Sequence, residues 1–169
     1  MKNLITILCL FLFSCGDNLI EEVTERYDDG KLKTVNYYKK VGDNQELVKY
    51  KEYYKNGKIE KEENYKDGKL DGKYISYYMN GNIEKKENYK DGELDSKCIY
   101  YYRNGNMKEE INYKDGVEYL VNYWNQNGEL KVKDGNGKFT SYYENTQWIR
   151  SEGYYKDGIV DGKWTFYDE

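Results

Sequence analysis

Few residues in this chain of 169 could carry chemistry. There is no histidine, so the commonest general base and the commonest transition-metal ligand are missing together. No Ser-His or Cys-His pair can form, and acyl transfer through an activated nucleophile has no machinery. Cysteines stand at Cys9, Cys15 and Cys98, the first two close to the N-terminus. Cys98 is left as a lone thiol and reads as a small core hydrophobe. Carboxylates recur four apart, as Asp67 with Asp71, Asp91 with Asp95 and Asp157 with Asp161. That spacing matches neither an EF-hand nor the nonapeptide calcium repeat, so no metal and no cofactor is expected. Two acids flanking a cleft could hydrolyse a glycoside, but an open array of Glu and Lys reads as a solvated face. The chain reads as non-catalytic.

Cys15 is the exception, because its position suggests a modification. Met1-Lys2-Asn3 gives a short positive start, and Leu4 to Phe13 is apolar apart from Thr6. Such a stretch is too short to span a membrane, which takes ~20 residues, but suits a signal-peptide core. It ends in Leu12-Phe13-Ser14-Cys15-Gly16, which resembles the bacterial lipoprotein signal. That resemblance implies removal of residues 1–14, acylation of Cys15, and anchoring at a cell envelope, periplasmic or surface-exposed. Two acyl chains hold stably where one holds only marginally. Residues 15–25, polar and acidic, are expected to be a tether.

Lys+Arg 27 against Asp+Glu 31 gives a net charge of -4, which excludes the broad basic face of a nucleic-acid binder. A charged fraction of 34% would suit disorder, but aromatics at 17%, mostly 22 tyrosines, do not. Few aliphatic side chains are left for a thick core. A thin sheet faced with amphipathic rings suits the composition better.

The sequence repeats itself. Tyr53-Tyr54-Lys55-Asn56-Gly57 returns at 77–81 and 101–105, always 24 residues on, and Asn64-Tyr65-Lys66-Asp67-Gly68 returns at 88–92 and 112–116. Asn-Gly and Asp-Gly favour positive φ and mark tight turns between antiparallel strands. The runs between them have the length of strands. The expected fold is all-β: an elongated single sheet of tandem antiparallel hairpins over residues 26–169, with about a dozen strands. Alternation puts Tyr74, Ser76 and Tyr78 on one side and Ile75 and Tyr77 on the other. Return strands are mostly charged, so stability is expected chiefly from stacked tyrosine rows. Towards the ends the pattern loosens: Val41 to Leu47 breaks the register, and Tyr123-Trp124-Asn125-Gln126-Asn127-Gly128 reads as gaining a residue.

Tyr65 to Tyr74, Tyr155 to Trp164 and Asp134 to Gly137 resemble the MORN-repeat variant of bacterial proteins. Such proteins are commonly grouped as the YwqK family and labelled antitoxins. The resemblance implies a β-hairpin array used for protein contacts and brings no catalytic residues. An exported lipoprotein departs from a cytoplasmic antitoxin, though immunity to a toxin acting in the envelope is compatible. Tyr53, Tyr77 and Tyr101, joined by Tyr142 and Tyr167, form the candidate binding face, since tyrosine offers rigid contact area at low entropic cost. The expected role is an envelope-anchored protein-interaction module: scaffold, adaptor or immunity-like protein. Its membrane contact would be the lipid anchor. The alternative is a carbohydrate-binding module whose tyrosines stack on polysaccharide.

Overall fold

The structure, a computed structural model, describes residues 19–143, 146 and 148–168. Cys15, Cys9 and the proposed leader lie outside the described residues. The chain forms β1 (Leu19–Arg26), β2 (Leu32–Val41), β3 (Asn44–Tyr53), β4 (Ile59–Lys66), β5 (Lys69–Leu70), β6 (Gly72–Tyr77), β7 (Ile83–Lys90), β8 (Glu93–Leu94), β9 (Ser96–Tyr101), β10 (Met107–Lys114), β11 (Val117–Trp124), β12 (Leu130–Lys133), β13 (Asn136–Tyr142), β14 (Ile149–Lys156) and β15 (Ile159–Phe166). All fifteen belong to one open antiparallel sheet in chain order, with β5 and β8 as short side pairings on β4 and β7. No helix occurs among the described residues.

One sequence expectation is corrected at the start of the sheet. Residues 19–25, expected as part of a tether, lie in β1, which pairs with β2 from Leu19↔Lys39 to Arg26↔Leu32. Leu19, Ile20 and Val23 give this acidic segment enough apolar side chains to alternate on a strand, and Val23 stands opposite the fully buried Val35.

Two turn types alternate along the array, and they differ in backbone. At Asp67-Gly68 both residues have positive φ (50° and 76°), as a two-residue type I′ hairpin requires. Asn56-Gly57 behaves otherwise, because only Gly57 is left-handed, at 83°. Gly57 N–H donates to Tyr54 O and Tyr54 N–H to Lys58 O, each at 2.8 Å, which is a type I turn closed by a glycine bulge. Asn56 Oδ1 accepts from Lys58 N–H at 3.0 Å. The asparagine is there for its side chain and the aspartate for its tolerance of the left-handed region.

A third irregularity carries the chain from one unit to the next. After β5 and β8 the backbone kinks at Gly72 (φ 97°) and Ser96 (φ 65°), so that β6 and β9 can continue beside β4 and β7. Asn88 spans the kink: its carbonyl accepts from Asp95 N–H at 2.9 Å and its Nδ2 donates to Lys97 O at 2.8 Å. Asn64 does the same between Asp71 and Lys73.

Successive units are joined at the turns by tyrosine hydroxyls. Tyr78 donates to Tyr101 O and Tyr102 to Trp124 O, each at 2.8 Å, while Tyr54 donates to Tyr77 O and Tyr27 to Tyr53 O. Turn asparagines run in parallel, with Asn80 Nδ2 donating to Arg103 O at 2.9 Å. Rings of one row do not stack on each other, contrary to the expectation from sequence. Equivalent tyrosines are two strands apart, about 10 Å, which exceeds ring contact.

The two faces of the sheet are unequal. Val35 apart, every buried side chain among the described residues lies on one face: Thr34, Glu63, Ser76, Glu87, Cys98, Ile111, Leu120, Tyr123, Val132 and Ser151. At its C-terminal end this buried face is an aromatic cluster, with Phe139 against Tyr123 (centroids 4.4 Å), Trp164 (5.5 Å) and Tyr155 (5.7 Å). Trp164 lies over Gly153, where a Cβ would stand 2.5 Å from its ring. Towards the N-terminus the same face is polar: Glu87 accepts from Tyr100 (2.9 Å) and Tyr89 (3.2 Å) and pairs with Lys85 (3.0 Å).

Ser96 occupies a left-handed position where the preceding unit has glycine, a conformation costing an L-residue ~1–2 kcal/mol. Ser96→Gly is therefore expected to stabilise the protein by about 0.5–1 kcal/mol after glycine's own entropy cost. Gly135→Ala is expected to destabilise it by ~2 kcal/mol or more, since the new Cβ would lie 2.4 Å from Gly158 N. Urea unfolding followed by tyrosine and tryptophan fluorescence measures both.

Candidate interaction face

The opposite, open face carries the tyrosine row. Alternation along β3, β6 and β9 puts Tyr53, Tyr77 and Tyr101 there, each half-buried and each the last residue of its strand. Tyr142 closes β13 on the same side and is 45% exposed; Tyr167 follows β15 and is 40% exposed. All five tyrosines singled out from sequence thus share one face.

Trp124 is the member that sequence reasoning missed. Tyr102 donates to Trp124 O just as Tyr78 donates to Tyr101 O, and Asn125 opens the next turn in the place of Tyr102. The turn Asn125 to Glu129 therefore has the same length as Tyr102 to Asn106, and no residue is gained. The missing step lies upstream, in the bulge of β11 between Leu120 and Asn122. The signal was present in sequence, since Asn127-Gly128 counted backwards reaches Trp124 rather than Tyr123.

Between the rings, the open face is a lattice of charge pairs on an aliphatic floor. Glu62 accepts from Lys49 at 2.9 Å, lies 3.4 Å from Lys51 Nζ, and accepts from the Tyr77 hydroxyl at 3.2 Å. Burial pushes its pKa up, but the Lys49 hydrogen bond and the charges of Lys49 and Lys51 outweigh that and hold it below the ordinary value. Lys97 pairs with Glu110, which also accepts from Asn122 Nδ2 at 2.9 Å. Lys51 Nζ sits 5.8 Å from the Tyr37 ring centroid and Lys86 Nζ 5.7 Å from that of Tyr101, within cation–π range. Burial, with Tyr53 and Glu21 nearby, raises the Tyr37 hydroxyl well above its usual value. Ile75 and Ile99 stand either side of Lys86 and form the floor.

The other sequence candidates lie elsewhere. Cys98 is fully buried on the opposite face across from Ile111, and burial raises its thiol pKa. Asp67, Asp91 and Asp157 are left-handed turn residues, and Asp71 Oδ2 accepts from Asp91 N–H at 3.4 Å. No three His, Cys, Asp or Glu gather at metal-binding distance among the described residues.

The MORN repeat variant is found in three repeats, at residues 48–67, 70–91 and 94–115, and to that extent the chain is similar to that family. No curated protein matches the chain. MORN repeats generally mediate protein or membrane interactions, which is compatible with a non-catalytic module. The three matches contain Tyr53, Tyr77 and Tyr101 together with the charge lattice between them.

Because Glu62 has a depressed pKa in the folded protein, its contribution to stability is present above the unfolded value near 4.5 and is lost as pH falls through the folded one. Glu62→Gln is expected to cost up to ~1 kcal/mol at pH 6.5, with the gap from the parent closing as pH falls below the unfolded value. Urea unfolding midpoints of the two proteins across that range measure it.

Proposed function

We propose that this protein is a non-catalytic, envelope-anchored interaction module that presents its open tyrosine face to a protein partner, as a scaffold, adaptor or immunity-like protein. The observation that carries this reading is a division of labour between the two tyrosines of each Tyr-Tyr pair. The second residue of the pair (Tyr54, Tyr78, Tyr102) spends its hydroxyl on the next unit's backbone. The first (Tyr53, Tyr77, Tyr101) stays half-exposed on a face that no second layer of the described residues covers. Contiguous, partly apolar surface rich in tyrosine favours association. Anchoring rests on the apolar leader and on Cys15 between Ser14 and Gly16.

Two experiments test the proposal. The full chain, immobilised and exposed to envelope extract, is expected to retain a partner that the Tyr77→Ala/Tyr101→Ala variant loses while keeping its circular dichroism spectrum. Equal retention by both, or retention of polysaccharide alone, defeats the protein-interaction reading. Cys15→Ser is expected to abolish incorporation of labelled palmitate and to move the protein from the membrane to the soluble fraction. Unchanged fractionation defeats the anchor.

A further inference from the structure

The charge lattice of the open face recurs in three hairpins, β3–β4, β9–β10 and β13–β14. Lys49 pairs with Glu62 at 2.9 Å, Lys138 with Glu152 at 2.6 Å, and Lys97 with Glu110. The geometry is the same each time: the lysine stands opposite Asn64, Tyr154 or Asn112, and the glutamate lies two residues before that partner. Lys73 stands opposite Asn88, so the glutamate's place in this central unit is residue 86. The sequence has Lys86 there, and neither Lys73 nor Lys86 has a carboxylate partner among the described residues.

The missing carboxylate leaves a second vacancy in the hydrogen bonding. Tyr77 donates to Glu62 at 3.2 Å and Tyr167 to Glu152 at 2.9 Å. The tyrosine that stands in this relation to residue 86 is Tyr101, whose hydroxyl has no acceptor there among the described residues; Lys86 Nζ lies over its ring instead. Lys73, Ile75, Lys86, Asn88, Lys97 and Ile99 line a shallow groove of about 260 Å³ at this spot. Among the described residues, two lysines without a carboxylate partner thus flank an isoleucine floor, and Lys86 reaches from it over the ring of Tyr101, in a protein whose net charge is -4.

We propose that this groove binds an acidic, extended segment of a protein partner. A glutamate or aspartate of the partner takes the place that Glu62, Glu110 and Glu152 hold in those three hairpins. It accepts from Lys73 and Tyr101, with Lys86 adding a second positive charge. A neighbouring apolar side chain rests on Ile75 and Ile99. An aliphatic floor favours an apolar side chain over a sugar ring, which stacks on aromatic planes, and charge complementarity selects the acidic sequence. The inference rests on the interaction reading above and specifies its partner's chemistry.

The test uses the full chain and a fluorescein-labelled hexapeptide of alternating leucine and glutamate, with its leucine–glutamine counterpart as control. The probe is expected to bind and the control to bind at least tenfold more weakly. Lys86→Glu restores the side chain that those three hairpins carry, so it is expected to keep or raise the thermal midpoint while weakening the glutamate peptide at least tenfold. Lys40→Glu makes the same change of net charge outside the groove and is expected to leave binding unchanged. Equal binding of both peptides, unchanged binding by Lys86→Glu, or no binding of the glutamate peptide overturns the proposal. Binding of uronic-acid oligosaccharides or phosphatidylglycerol vesicles in place of the peptide overturns it too. A partner captured through the tyrosine row and retained by Lys86→Glu defeats this inference alone. A partner retained by Tyr77→Ala/Tyr101→Ala defeats the broader reading.

Discussion

Among the described residues the sheet is one layer thick and has no partner layer to hold its hairpins in place, so whatever joins each hairpin to the next decides everything else. Here that is backbone pairing plus the turn tyrosines, whose hydroxyls reach the carbonyl of the following unit. Each such bond contributes on the order of 1 kcal/mol, comparable to the best of the exposed ion pairs, but it fixes position as well. A phenol is rigid, so tying its oxygen to a carbonyl two strands away sets both the spacing and the twist between units. Asn56, Asn80 and Asn104 repeat the link at the turn tip. With the turns aligned, the strands between them must stay in register, and the two faces stay distinct along the array.

The buried face shows how an aromatic-rich, aliphatic-poor chain fills a core under that constraint. Equivalent positions read Glu63, Glu87, Ile111 and Gly153, so one site passes from a hydrogen-bonded carboxylate to an aliphatic side chain to open space. The site beside it reads Tyr74, Cys98, Phe139 and Trp164, and the last ring fills the room that Gly153 leaves. Cys98 is small where Tyr74 is large, and two residues further on Tyr100 is large where Ser76 is small, so the unit exchanges the two volumes along one face. Buried carboxylates are tolerated because tyrosines satisfy them: Tyr65 donates to Glu63 at 2.6 Å, and burial together with that carboxylate pushes its own pKa up to about 12.

What could be read from sequence was what the period repeats. Turn positions, strand alternation and the shared face of Tyr53, Tyr77 and Tyr101 all follow from a 24-residue spacing and a period of two. Three things escaped that reading for physical reasons. The strand at 19–26 looks like a tether because edge strands carry charge and need only one apolar side. The β11 bulge shifts the count by one residue, and bulges have no fixed residue signature outside glycine, so Trp124 fell out of the row. The diagonal between Lys49 and Glu62 joins residues 13 apart on adjacent strands, and its partners emerge only once register is known.

Register also makes a repeat protein its own control, since each unit shows what the next could have carried. Three departures in the central part of the array have three different physical signatures. Ser96 sits where Gly72 does and adopts a left-handed backbone that glycine would adopt without strain, so it is a local cost. Cys98 and Tyr100 exchange volumes with Tyr74 and Ser76 and leave the burial intact, so they are a neutral rearrangement. Lys86 differs from both. It strains nothing, yet it replaces the carboxylate that Lys73 and Tyr101 would otherwise satisfy, in the middle of a face that no second layer of the described residues covers. A substitution that removes an internal partner from two polar groups at once, while leaving them reachable, transfers their bonding capacity from the fold to whatever docks there.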